Sequence, residues 1–223
     1  MLDQHEQVKE VFDHSLWNEL LQKHVSEDGK VNYKSFKSDA SRLKQYLDSL
    51  SKIGPSPDWT REDQLAFWMN TYNAFTVILI LDNYPVKSIK DIKDPWDIRF
   101  FKIGPKWRNL NEIEHKILRP MGDPRIHFGI NCASFSCPRL SNKAFTSNNV
   151  NEQLDILAKA YINNQTHNNI TANKIQLSKI FQWFAKDFKK YGALIDFLNK
   201  YSDIEIKKNA KKTFKKYNWS LNE

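Results

Sequence analysis

The stretch Thr60–Leu81, TREDQLAFWMNTYNAFTVILIL, decides how this chain folds. Thr60 followed by Asp63 resembles a capping box, with aspartate where glutamate or glutamine is more usual. Behind it Leu65, Trp68, Tyr72, Phe75 and Leu79 form one stripe at helical spacing, while Phe67, Met69, Val77 and Ile78 cover the other directions. A helix that is apolar nearly all round belongs in the interior. The segment therefore reads as a central helix around which the rest packs. Asn70 and Asn73 lie in its middle, and an unsatisfied buried amide costs about 1–3 kcal/mol. Their side chains are expected to meet partners, either backbone groups or a ligand held in a polar pocket.

Two shorter amphipathic helices precede it. Val11–Lys23 carries Leu16 and Leu20, and Ser41–Leu50 carries Leu43, Tyr46, Leu47 and Leu50 at helical spacing. Gly54-Pro-Ser-Pro57 then breaks the chain. It separates a helical region, residues 1–57, from a core, residues 58–223, within a single domain over 1–223. Strands enter after the central helix. Ile98–Ile103 and Lys106–Arg108 read as a hairpin around Gly104-Pro105. Asn111 can cap a helix that ends at Arg119, with Glu114 in its first turn and Leu110 as a staple. Arg125–Ile130 reads as a buried strand, Val150–Ile162 as a helix and Lys174–Leu177 as a strand. Ser178 can cap the helix FQWFAKDFKKY, Ala193–Tyr201 is helical, and Lys212–Trp219 reads as a closing strand. The expected fold class is α+β: a helix-rich N-terminal half and a buried central helix packed on a small, mainly antiparallel sheet.

Composition agrees. Over 223 residues, 40% hydrophobic content and seven Trp supply one substantial interior. Sparse Gly and Pro exclude collagen-like and low-complexity chains. No run of about 18 uncharged apolar residues predicts a transmembrane segment. The opening MLDQHEQVKE lacks the layout of a signal peptide. The compartment stays open: periplasmic or secreted if a leader has been removed, cytoplasmic otherwise. The net charge of +8 would suit an anionic partner. Much of the excess, however, sits at Lys207, Lys208, Lys211, Lys212, Lys215 and Lys216, which read as a solvated tail. Arginine is scarce and no zinc-finger spacing or glycine-rich phosphate loop occurs, so nucleic acid is not an expected partner.

The chemistry concentrates in Ile126-His-Phe-Gly-Ile-Asn-Cys-Ala-Ser-Phe-Ser-Cys-Pro-Arg139. A thiol nucleophile needs a base, or a cation that lowers its pKa. His127 is the candidate base and Arg139 the candidate cation. On a straight strand His127 and Asn131 would share one face and Cys132 the other. Either the strand ends near Asn131 or the base lies elsewhere. Cys137 precedes Pro138 and could cap a short helical turn, where the dipole would favour a thiolate. The two cysteines could equally form a small-loop disulfide or remain buried thiols. Glu114 and His115 adjoin on a helix, as base and orienter or as cap and surface residue. His5, His14, His24 and His167 lie in polar sequence and are expected to do no chemistry. The spacing of His115, His127 and the cysteines fits no familiar metal site, and neither metal nor cofactor is expected.

Several of these stretches, in order, resemble the domain-of-unknown-function 547 family. They are Phe67–Ala74, Asn111–Arg119, Ile126–Cys132, Ser136–Pro138, Phe181–Phe188 and the closing Tyr217-Asn-Trp-Ser-Leu-Asn222. The resemblance runs from about Gly29 onward and implies no established reaction. A weaker architectural likeness is to the papain and transglutaminase-like cysteine hydrolases, in which a buried helix opens on the nucleophilic Cys and a following strand carries the His. Here the helix carries Asn70 and Asn73 instead, so a thiol from the 132–137 loop would have to take that place.

Three functions are compatible with these residues. The first is a thiol-dependent hydrolase or transferase acting on an amide or peptide-like compound. In it Cys132 or Cys137 attacks, His127 moves protons and Glu114 orients, while Asn70, Asn73, Asn131, Ser136 and Arg139 bind substrate. The second is a non-catalytic module that binds a small molecule or peptide in the same pocket. The third, a binder of anionic surfaces through the lysines, predicts strong salt dependence. The oligomeric state is not readable from the sequence.

Overall fold

Thr60 opens the central helix as its sequence requires. In the computed structural model, which describes residues 11–190 and 192–223, the Thr60 hydroxyl accepts from the Asp63 amide. The Asp63 carboxylate accepts from the Thr60 amide in return. This reciprocal cap satisfies two donors that a helix start leaves free. The helix, α4 below, runs Arg61–Asn83 and is buried without interruption from Leu65 to Leu81. By length and composition it could cross a membrane, but it is packed almost wholly inside the protein, so it marks no clear transmembrane segment.

Before it come α1 (Ser15–His24), α2 (Tyr33–Phe36) and α3 (Ala40–Lys52). Trp17 of α1 lies flat against Tyr46 of α3, with ring centroids 5.8 Å apart. After it come β1 (Phe101–Ile103) and β2 (Lys106–Arg108), the hairpin expected around Gly104-Pro105. Phe75 of α4 stacks on Phe101 of β1 at 3.7 Å and joins the helix to that sheet. Next come α5 (Leu110–Glu112), α6 (Ile126–Gly129), α7 (Val150–Asn163), β3 (Asn169–Ile170), β4 (Lys174–Leu177), α8 (Ile180–Trp183), α9 (Ala185–Phe188), α10 (Leu194–Asn199) and β5 (Lys211–Phe214). Strands β3 and β4 pair antiparallel, and β5 adds to β4 in parallel. The buried apolar residues form one cluster that extends from Phe12 to Leu221. The chain is thus α+β, with small sheets whose pairing is mainly antiparallel.

Four local expectations are corrected. Arg125–Ile130 is no strand: Ile126–Gly129 makes one helical turn, with Ile130 N–H donating to Ile126 O. Gly129 is closely packed there, since a Cβ would sit 2.8 Å from Met69 Sδ and 2.9 Å from Leu154 Cδ2. The cap of α5 is Asn109, whose Oδ1 accepts from Glu112 N–H, and not Asn111. The segment FQWFAKDFKKY is two short helices with a break at Phe184, and its last residue, Tyr191, lies outside the described residues. The lysine-rich end is not a tail. Lys211 and Lys212 belong to edge strand β5, where exposed charges discourage further strand pairing.

The histidines outside the cysteine segment are also not all in polar surroundings. His24 is stacked on Phe36 and bonded through its two ring nitrogens to Ser35 and Asp39. His14 is buried against Phe12 and bonded through Nδ1 to the Tyr46 hydroxyl at 2.7 Å. Burial pushes its pKa down to about 3. His5 and the rest of the opening MLDQHEQVKE fall outside the described residues. Because the folded-state pKa of His14 lies below the unfolded value, the unfolded chain takes up the proton first. Stability is then fully present above about pH 6.5 and falls as pH drops toward about 3. A Tm that declines across this range, with the decline reduced in His14→Gln, is the expected result. An unchanged acid limb in that variant would remove His14 as its cause.

Candidate functional site

The cysteine loop is built from amide clamps. Asn73 Oδ1 accepts from Asn131 N–H at 2.8 Å, and its Nδ2 donates to Gly129 O at 2.9 Å. Asn70 does the same for Phe145, accepting from its N–H and donating to its carbonyl. Asn131 in turn donates to Pro138 O and accepts from Ala133 N–H and Asn222 Nδ2. That last bond is continued by the Tyr33 hydroxyl, which donates to Asn222 Oδ1. The loop bends at Ala133, a non-glycine residue at φ +56°, a conformation L residues rarely adopt. The bond from Asn131 to the Ala133 amide holds it there.

The C-terminal residues lie along this loop. Phe135 N–H donates to Ser220 O, Ser136 N–H to Asn218 O, and Asn218 N–H to Ser136 Oγ. Leu221 pairs with Ser134 as an antiparallel bridge. Tyr217 and Trp219 are thereby brought over the cysteines.

A cavity of about 290 Å³ opens at this place. Glu114, His127, Cys132 and Cys137 line it, with Trp96, Trp183, Phe184 and Trp219 among its aromatic walls. Cys132 is half-buried, and its sulfur lies 2.8 Å from Cys137 Sγ, 3.1 Å from Ser134 Oγ and 3.4 Å from the Tyr217 hydroxyl. The hydrogen bond with Cys137, followed by those with Ser134 and Tyr217, outweighs burial and lowers the Cys132 pKa to about 7. The Cys137 thiol is pushed well up, by burial first and then by its bond to Cys132. The two shifts run in opposite directions, so ionisation is favoured at Cys132 over Cys137. No helix starts at Pro138. Cys137 ends a turn closed by its own N–H on Ser134 O, so no helix dipole acts on it.

Glu114 reaches the cavity through an irregular helix. Residues Ile113–Leu118 are wound as a π-helix, a rare form that frequently marks functional positions. Burial and then the charge of Cys132 raise the Glu114 pKa to about 7. His127 Nε2 lies 2.8 Å from Asp187 Oδ2, and Arg119 grips the same carboxylate with two bonds of 2.7 and 3.0 Å. Although burial opposes it, these bonds hold Asp187 well below the usual carboxylate range. Burial lowers the His127 pKa, against the pull of Asp187. An ionised Asp187 accepts only, so the neutral imidazole carries its proton on Nε2. Nδ1 is left as an acceptor, 3.8 Å from Glu114 Oε1. Phe184 stacks on the ring at 3.9 Å and fixes its plane. His115 is on the outer side of the same helix and takes a bond from Arg119 at 2.9 Å.

The structure thus brings Cys132, Cys137, Glu114 and His127 to one cavity, and the alternation argument that separated His127 from Cys132 fails because no strand is there. The expected direct pairing of imidazole and sulfur is not found: His127 bonds Asp187, and Cys132 bonds Cys137, Ser134 and Tyr217. The other five expected residues do not line the cavity. Asn70, Asn73 and Asn131 clamp backbone and Ser136 holds Asn218. Arg139 donates to Glu27 O and borders a second cavity, also about 290 Å³, on the far side of the loop. Sequence reasoning missed Asp187, Arg119, Ser134 and Tyr217 as parts of the site. Arg119, Asp187 and Tyr217 do fall inside stretches that carry the family resemblance. Among the described residues no His, Cys, Asp and Glu group suited to a metal ion occurs.

No curated protein and no solved structure matches the chain. The likeness to papain and transglutaminase-like hydrolases is not shown, and His127 stands on a helical turn instead of the strand that likeness required. The stretches Phe181–Phe188 and Tyr217–Asn222 lie beyond the matched part of the chain. Residues 56–162, which carry the central helix, Glu114, His127 and both cysteines, match the family described as protein of unknown function, DUF547, so the resemblance to that family is shown.

Proposed function

We propose that the protein is a thiol-dependent hydrolase or transferase acting on an amide- or ester-like acyl compound, with Cys132 as nucleophile. One observation carries this reading. A half-buried sulfur held by Cys137, Ser134 and Tyr217 opens on the same cavity as the buried Glu114 carboxyl, and these surroundings lower the thiol pKa and raise that of the carboxyl. Perturbed groups paired in a cleft are the usual mark of acid–base and nucleophilic chemistry.

The Cys132 thiolate attacks the acyl carbon and a C–S bond forms. The Tyr217 hydroxyl, next to the sulfur on the cavity wall, donates to the oxyanion that develops, and the buried Ser134 hydroxyl holds Tyr217 in place. Protonated Glu114 gives its proton to the leaving nitrogen or oxygen, and the bond to the acyl group breaks. Water then attacks the thioester while the Glu114 carboxylate takes its proton, which returns Cys132 as thiolate. The Tyr72 hydroxyl donates to the Glu114 carboxyl, and Asp187 with Arg119 holds the imidazole that faces it, so these are positioning residues.

Alkylation by iodoacetamide tests the nucleophile. Cys132 is expected to react in the native reduced protein with an inflection near pH 7, and at pH 7 roughly tenfold faster than an ordinary thiol. If neither thiol reacts faster than a free cysteine, the hydrolase reading is lost. The aromatic walls would then favour the other reading, a module that holds a small molecule or peptide in the same cavity.

A further inference from the structure

The mechanism uses one sulfur, yet the loop holds two within contact. Cys137 Sγ is 2.8 Å from Cys132 Sγ and also accepts from the Cys132 amide at 3.0 Å. Closing a disulfide needs the sulfurs to approach by only about 0.8 Å. The turn between them is short and held on both sides, by Asn131 at the Ala133 amide and by Cys137 N–H on Ser134 O. Access differs between the two. Both sulfurs line the cavity, but Cys132 is half-buried and Cys137 is buried, so Cys132 is the more accessible of the two. An oxidant entering the cavity therefore meets Cys132 first.

We propose that Cys132 and Cys137 form a peroxide-responsive pair, in which Cys132 is the oxidised sulfur and Cys137 resolves it into a reversible disulfide. The proposal rests on the reading of Cys132 as the nucleophile and adds a regulation of the same site. In the first step the Cys132 thiolate attacks one oxygen of the peroxide, the O–O bond breaks, and the leaving oxygen departs as water after taking a proton. Sulfur is oxidised and the peroxide reduced. In the second step Cys137 attacks the sulfenic sulfur, the S–O bond breaks, and hydroxide leaves with the Cys137 proton as a second water. Disulfide closure removes the nucleophile. It also spares Cys132 the irreversible sulfinic state, which an exposed thiolate without a neighbour reaches on further oxidation.

The experiment uses the full chain, first reduced, then treated with hydrogen peroxide at neutral pH and read by intact mass and peptide mapping. The expected product has lost two hydrogens, contains a peptide linking Cys132 to Cys137, and reverts with dithiothreitol. Cys137→Ser is expected to stop at a sulfenic acid that dimedone traps. With excess peroxide it should then gain a second oxygen at least about tenfold faster than the parent protein. The parent reading alone decides the matter if that variant does not fold. Two thiols still titratable after peroxide, or a parent that gains oxygens as fast as Cys137→Ser, would overturn the pair. Fast iodoacetamide alkylation together with such a result would spare the hydrolase reading. Disulfide formation without thiol-dependent turnover would keep the pair and discard the hydrolase.

Discussion

Asn73→Leu is expected to lower the unfolding free energy by about 2–5 kcal/mol, a large share of what a domain of this size has. Leucine keeps the number and branching of the heavy atoms but is bulkier, so some overpacking adds to the cost. What is lost is specific. Asn131 N–H and Gly129 O both keep their places in the interior and lose their partners, and each orphaned buried group costs about 1–3 kcal/mol. Urea unfolding followed by tryptophan fluorescence measures the difference. The same substitution has a local consequence. Asn73 fixes the backbone that leads directly into Cys132, so the alkylation inflection near pH 7 should move toward that of an ordinary thiol even below the unfolding midpoint. A loss under about 1 kcal/mol with an unmoved inflection would mean that the clamp is redundant.

That clamp also explains which parts of the molecule were readable from sequence. The central helix was, because its apolar residues face every direction and its cap is local. The hairpin at Gly104-Pro105 and the helices at Ser41–Leu50 and Val150–Ile162 were readable for the same reason: periodicity and turn residues act over a few positions. Ile126–Gly129 was misread as a strand because a short apolar run fits either state, and the choice was made by distant groups, namely Asn73 in the central helix and Met69 and Leu154 around Gly129. Of the site, the segment holding His127 and the cysteines was legible from its density of polar groups. The division of labour among them was not. Asn70 and Asn73 had to have partners, but sequence could not say whether these were backbone or ligand. The bond from His127 to Asp187 spans 60 positions, and Tyr217 reaches the sulfur from 85 positions away. Contacts of that range leave no local pattern. The π-helical turn that points Glu114 inward has none either.

Glu114→Gln separates the proton step from the nucleophile. Glutamine keeps the shape of the side chain and removes both its charge and its titration. The Cys132 thiolate then no longer faces a carboxylate, and the repulsion between them, the second cause that raises the Glu114 pKa, is removed. Alkylation by iodoacetamide at pH 7 should therefore be as fast as in the parent or faster. Turnover behaves differently according to the leaving group. In p-nitrophenyl acetate the phenolate leaves without a proton, and the rate of acylation should fall by less than about tenfold. In the corresponding p-nitroanilide the nitrogen must be protonated as its bond breaks, and removal of the general acid should cost about 10²–10⁴-fold in kcat/KM. Cys132→Ser should lose both reactions, whereas Asp187→Asn should shift the pH profile of anilide cleavage by releasing the His127 ring, which faces the Glu114 carboxyl at 3.8 Å. Equal losses on ester and anilide in Glu114→Gln would assign that carboxyl to holding the site together. An anilide rate within a factor of a few of the parent would place the proton donor elsewhere in the cavity, and His115, exposed at its edge and bonded to Arg119, would be the group to replace next.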